Sequence, residues 1–107
     1  MVKKYFFYNK VVPESKVDSL ISIMFQGDLD NLLKGAEDLL LEGFSPDQIM
    51  EQYFKLMIEK KNISEIKKAR ILEKIALCDK GLNEGGKEDL QIYELFSSSL
   101  SILTKPD

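Results

Sequence analysis

The chain has 107 residues, 15 basic against 18 acidic, a formal charge of −3 and no histidine, so it is sized for one domain with a single core. So acidic a balance lacks the broad positive field that duplex DNA or an anionic membrane surface favours. Missing histidine removes the usual general base near neutral pH and the usual metal ligand, and a lone cysteine, Cys78, excludes an internal disulfide and a thiolate zinc site.

Residues 1–11 are the least regular part of the chain. Lys3-Lys4-Tyr5-Phe6-Phe7-Tyr8-Asn9-Lys10 sets four aromatic residues between basic ones, too short for a helix of its own but rich in strand formers. It fits an arm folded back on the core, a linker continuing from an upstream module, or a sticky patch covered in an assembly. Aromatics among lysines can also stack on single-stranded bases, although the acidic chain argues against that use. Met1-Val2-Lys3-Lys4 leads into too short and too aromatic a stretch for a secretory signal, and no apolar run approaches the roughly 20 residues of a membrane span. An intracellular, soluble, non-secreted chain is expected.

Pro13 stands where a first helical residue is tolerated, and Val17, Leu20, Ile21, Met24 and Phe25 form a stripe that ends near Gly27. Asp28 can cap a second helix, whose Leu29, Leu32, Leu33, Ala36, Leu39 and Leu40 recur at helical spacing until Gly43. Ser45-Pro46-Asp47-Gln48 supplies a capping serine, a proline at the first position and a glutamine able to reach back. The third helix follows with Ile49, Met50, Tyr53, Phe54 and Met57 inward. Leu56 and Ile58 lie off that stripe, so this helix is expected to face two neighbours rather than one. Asn62 can end it in the left-handed conformation.

Ser64 then caps a fourth helix with Glu65 in its first turn. Ile71, Leu72, Ile75, Cys78 and Leu82 make its apolar stripe; Lys67, Lys68, Arg70, Glu73 and Lys74 read as a solvated face. Gly85-Gly86 breaks the run, and Lys87-Glu88-Asp89 places two carboxylates at the positive end of a fifth helix. There Ile92, Leu95, Phe96, Ser99 and Leu103 face inward, while Leu90, Tyr93, Ser97 and Leu100 form a second stripe beside them. Five helices with short connections predict an all-α bundle organised by the corner between the last two.

Tests for chemistry fail. Asp79 and Asn83 are spaced like two ligands of a calcium loop, but Gly81, Glu84 and Leu90 occupy positions that such a loop needs for a ligand, a glycine and a bidentate glutamate. Gly85-Gly86-Lys87 lacks the strand and spacing of a phosphate-binding loop. The pairs Glu37-Asp38 and Glu88-Asp89 are adjacent on their helices, so their carboxylates diverge. No catalytic, cofactor-binding or metal residue is assigned. Asp79, near the apolar stripe, is expected to accept a hydrogen bond from the corner backbone or from a lysine.

The run Asp79-Lys80-x-Leu82-x-Glu84-Gly85-Gly86-x-Glu88-x-Leu90-Gln91-Ile92 resembles the closing motif of the C-terminal collar domain in replication factor C small subunits, the clamp-loader family. Val12-Pro13-x-x-Lys16-Val17-Asp18, Gly27-Asp28-Leu29-Asp30 and Leu40-x-x-Gly43-x-Ser45 are similar to the same family at matching spacing, and the resemblance covers residues 11–103. Gly81 departs from the arginine of archaeal members and is closer to the eukaryotic pattern. The resemblance implies residues 1–11 as linker or arm from an absent upstream ATPase module and residues 12–107 as a helical collar that holds subunits in a pentameric ring for DNA replication. ATP and magnesium would belong to the parent complex, and no cofactor or enzymatic activity to this chain. Partners would be other clamp-loader subunits, with the sliding clamp and primed DNA reached only through the whole complex, in the nucleus of a eukaryote or the cytoplasm otherwise.

Within that expectation, Leu56, Ile58, Leu90, Tyr93, Ser97 and Leu100 are the candidate subunit contact, and Asp79, Gly85, Gly86 and Gln91 the structural corner. The rival is a freestanding adaptor that takes an amphipathic partner helix into a groove. A small helical enzyme would need convergent polar groups in a pocket, and none are identifiable.

Overall fold

The computed structural model describes residues 11–106. Five helices make up the fold: α1 (Glu14–Gln26), α2 (Leu29–Leu41), α3 (Pro46–Glu59), α4 (Glu65–Asn83) and α5 (Glu88–Thr104), with no strand among the described residues. Their starts are written locally. The Asp28 carboxylate accepts the Asn31 N–H at 3.2 Å and opens α2. At α3 the Ser45 hydroxyl accepts the Gln48 N–H at 3.2 Å, and the Gln48 side chain accepts the Ser45 N–H at 3.3 Å, a complete capping box. Ser64 accepts the Lys67 N–H at 3.2 Å and opens α4. Pro13 caps α1 from just outside it, so the first helical residue is Glu14.

Two helices end in the same way. Beyond α2 the Phe44 N–H donates to the Leu39 carbonyl and the Gly43 N–H to that of Leu40; beyond α4 Gly86 donates to Gly81 and Gly85 to Leu82. This paired closure turns the chain out through a left-handed residue, filled by Gly43 at φ 94° and Gly85 at φ 86°. α3 ends differently from the sequence expectation. It stops at Glu59, and Lys60 is already extended at φ −69° and ψ 127°, so Asn62 lies beyond the helix rather than terminating it.

The hub is α5, which packs against each of the other four helices. Its Ile92, Leu95, Phe96, Ser99 and Leu103 are all buried. Phe96 meets Tyr53 of α3 edge to face, with ring centroids 5.2 Å apart, and both rings are closed to solvent. The Tyr53 phenol finds the Met24 sulfur at 3.7 Å, and burial pushes its pKa upward against a smaller opposing effect of Ser99.

Around this centre α1 contributes Val17, Leu20, Ile21 and Met24, and α2 contributes Leu32, Ala36 and Leu39. Phe25, read as inward, is 40% exposed because it follows Met24 around the turn and past the edge of the contact. α3 is rotated relative to its sequence stripe: Leu56 is 5% exposed and in the core, whereas Phe54 is 41% exposed. Its buried line runs Ile49, Tyr53, Leu56, Met57 because α1, α4 and α5 all pack on that side. Of the basic residues on α4, Lys67 donates to the Leu103 carbonyl at 3.3 Å and Lys68 to the Ile58 carbonyl at 3.1 Å. They thereby meet the negative ends of α5 and α3.

Candidate functional site

At the α4–α5 corner, Gly81 and Gly86 matter for their lack of bulk and Gly85 for its backbone freedom. A Cβ at Gly81 would run into the Gln91 side chain, and one at Gly86 would sit 2.7 Å from the Gln91 amide nitrogen and 2.8 Å from the Gly81 carbonyl. Gln91 therefore fills the inside of the bend that Gly85 turns. Beside it the Cys78 thiol reaches the Gln91 carbonyl at 3.6 Å, and burial first, then Asp79 and Asp47, push its pKa up to about 11. A thiol held protonated in this way is a packing group, not a nucleophile. Asp79 takes no part in the corner. It is exposed and its carboxylate makes no hydrogen bond or ion pair among the described residues; the bend is closed by backbone bonds and by Gln91.

The six candidate contact residues do not form one surface. Leu56 is buried, which removes it from any contact made by the folded chain, and Ile58 is 49% exposed on α3. On α5, Leu90 is 55% exposed, while Tyr93, Ser97 and Leu100 are half-buried along the flank of the helix. The Tyr93 phenol is held above its ordinary pKa by burial, then by Glu37 of α2 and Asp89. Ser97 donates to the Tyr93 carbonyl at 2.8 Å and Ser98 to the Glu94 carboxylate at 3.2 Å. Those hydroxyls are satisfied within the helix, so the flank offers small side chains with little polar demand.

Sequence reasoning missed an apolar hollow among the described residues. Met50 and Phe54 of α3 face Leu72, Ile75 and Ala76 of α4 across an apolar groove of about 400 Å³, with Glu51 and Asp79 at its borders. The available signal was the pairing of Phe54 with Ile58 and of Leu72 with Ala76, each four residues apart and hence on one helix face. A second hollow of about 290 Å³ lies where the chain enters the fold, between Val11, Val12, Gln52 and Lys55, and it shares Glu51 with the groove.

No group of three or more acidic, cysteine or histidine side chains among the described residues is placed to hold a metal ion. Likewise no described helix is long and apolar enough to cross a membrane. The surface instead carries large apolar side chains in the open: Leu41 at 76%, Leu77 at 59%, Ile66 at 57% and Leu90 at 55% exposure.

Comparison with known proteins places the chain. Residues 12–98 match the family described as the replication factor C C-terminal domain. Replication factor C subunit 4 of Arabidopsis thaliana is 32% identical over 96 residues, 89% of this chain and 28% of the relative. The human protein of the same name is 32% identical over 95 residues, 89% of this chain and 26% of its own length. Replication factor C subunit 2 of Oryza sativa is 28% identical over 92 residues, 86% of this chain and 27% of the relative. The chain thus spans little more than a quarter of the length of these relatives.

Proposed function

We propose that this chain, which belongs to the family of replication factor C C-terminal domains, is the collar of a sliding-clamp loader and holds sibling subunits in a pentameric ring. The observation that carries this reading is the coincidence of the family match at residues 12–98 with the five-helix unit that begins at buried Val12. Its role is not enzymatic: nucleotide hydrolysis, with ATP and magnesium, falls to upstream modules of the parent protein. Those modules open the clamp and place it on primed DNA, while the collar keeps their spacing. For a eukaryotic parent the working location is the nucleus.

The flank of α5 is the contact that suits a neighbouring helix, with Leu90 as its most exposed apolar residue and Tyr93, Ser97 and Leu100 beside it. Small, internally satisfied residues allow close helix approach, and exposed leucine supplies apolar area. Co-expression with candidate sibling subunits, followed by size-exclusion chromatography with light scattering, is expected to give a complex of several different subunits. Leu90→Glu, at an exposed position, is expected to weaken incorporation by about tenfold or more, as for a central interface residue, with the melting temperature unchanged. A monomer that ignores every sibling and instead captures a single amphipathic helix would replace the collar reading with the adaptor one.

A further inference from the structure

We propose that the groove between α3 and α4 receives a basic amphipathic helix of a partner protein, with its apolar stripe against Met50, Phe54 and Leu72 and its flanking lysines or arginines on Glu51 and Asp79. The argument starts from the direction of the two helices. Lys68, near the start of α4, donates to the carbonyl of Ile58, near the end of α3, at 3.1 Å, so the helices pass each other in opposite directions. The other end of the groove therefore joins the start of α3 to the end of α4. Beyond the larger effect of burial, Asp79 and Asp47 both raise the pKa of the Cys78 thiol, which agrees with that placement.

The trough is apolar and its borders are acidic. Met50 and Ile75 are both 8% exposed, Phe54 stands above them at 41%, and Ile58, four residues further along α3, continues the apolar line at 49%. Of the seven residues that line the groove, two are acidic and none is basic, so the sign of the favoured partner is fixed. Glu51 borders it on α3 and Asp79 on α4. Both are exposed, and neither carboxylate is in an ion pair among the described residues.

Shape points to a helix. Residues 47–58 of α3 cover roughly 16 Å at about 1.5 Å per residue, some three turns, which is the span of a short amphipathic helix laid into a groove. Seated there, such a helix turns its apolar stripe downward and one flank toward each wall. Basic residues on both flanks then meet Glu51 on one side and Asp79 on the other, whereas acidic flanks meet like charge. A second copy of this chain is a poor occupant by the same measure, since each copy carries a formal charge of −3. The groove belongs to α3 and α4 and the proposed subunit contact to α5, so helix capture and ring assembly can fail independently.

The test is fluorescence anisotropy with the full 107-residue chain and two synthetic helices. Each helix has about 14 residues and the same leucine stripe, one flanked by lysines and the other by glutamates. The lysine helix is expected to bind saturably, and the glutamate helix at least about tenfold more weakly. Glu51→Lys combined with Asp79→Lys is expected to reverse that preference, and Ala76→Arg to abolish binding of the lysine helix. All three positions are exposed, so the melting temperature is expected to stay in place. Failure of the lysine helix to bind overturns the proposal, as does equal binding of the two helices or a preference that survives the double reversal. Light scattering on the chain alone supplies the remaining outcome: a dimer that Ala76→Arg dissociates would assign the groove to a second copy and overturn the proposal too.

Discussion

α4 has two seams, and they are built on different terms. Against α5 the seam is shut: Cys78 and Gln91 close the corner, and the hollow left between the helices measures only about 60 Å³. Against α3 it stays open, with about 400 Å³ between side chains of the same apolar type. Hydrophobicity does not separate the two, for Leu72 and Ile75 on the open side are as apolar as Leu77 and Leu95 on the closed one. The difference lies in small residues and in a plug. Gly81 and Gly86 let the helices approach, and Gln91 occupies the space they leave, whereas Phe54 lines the other seam at 41% exposure and leaves it unfilled. A surface left unfilled in this way is where a domain of this size can receive something.

The same truncation on the two sides of that comparison should give unequal results. Phe96→Ala on α5 removes a fully buried ring and its Tyr53 contact, and is expected to cost about 3–5 kcal/mol, read as a loss of urea midpoint. A smaller effect, about 1–2 kcal/mol, is expected for Gly86→Ala. Its Cβ would meet the Gly81 carbonyl at 2.8 Å and disturb the bond that ends α4. Unchanged stability in Gly86→Ala would mean that the closed seam does not depend on its glycines. Phe54→Ala stands last, at roughly 1 kcal/mol, because the ring already spends much of its surface in water. A loss as large as that of Phe96→Ala would break the distinction between the two seams.

What could be read in the sequence was what is decided within a few residues. Asp28, the Ser45–Gln48 box, Ser64 and Gly85 each make bonds to neighbours three to five positions away, so their roles did not need the rest of the chain. The all-α class followed from the spacing of apolar residues. Leu56 and Phe54 exchanged places because α3 is apolar over a wide arc, and three packed neighbours decided which part of it turned inward. Asn62 was misread as a terminator since it lies only three residues beyond the end of α3, and Asp79 as a corner residue since closeness to an apolar stripe does not establish burial. Of the candidate contact, the α5 flank keeps its residues together on one element, but Ile58 belongs to a different helix. The groove went unseen because it exists only once α3 and α4 are laid side by side.

The position of α5 in the chain carries a consequence for biosynthesis. Every other helix rests on residues 88–104, yet these leave the ribosome after all four have been made. At about 5–20 residues per second, the nascent chain carries those helices for seconds without the element that orders them. Closure of the domain is therefore a late, nearly single event, and a chain broken off near Lys87 would lack the keystone rather than one stone of the arch.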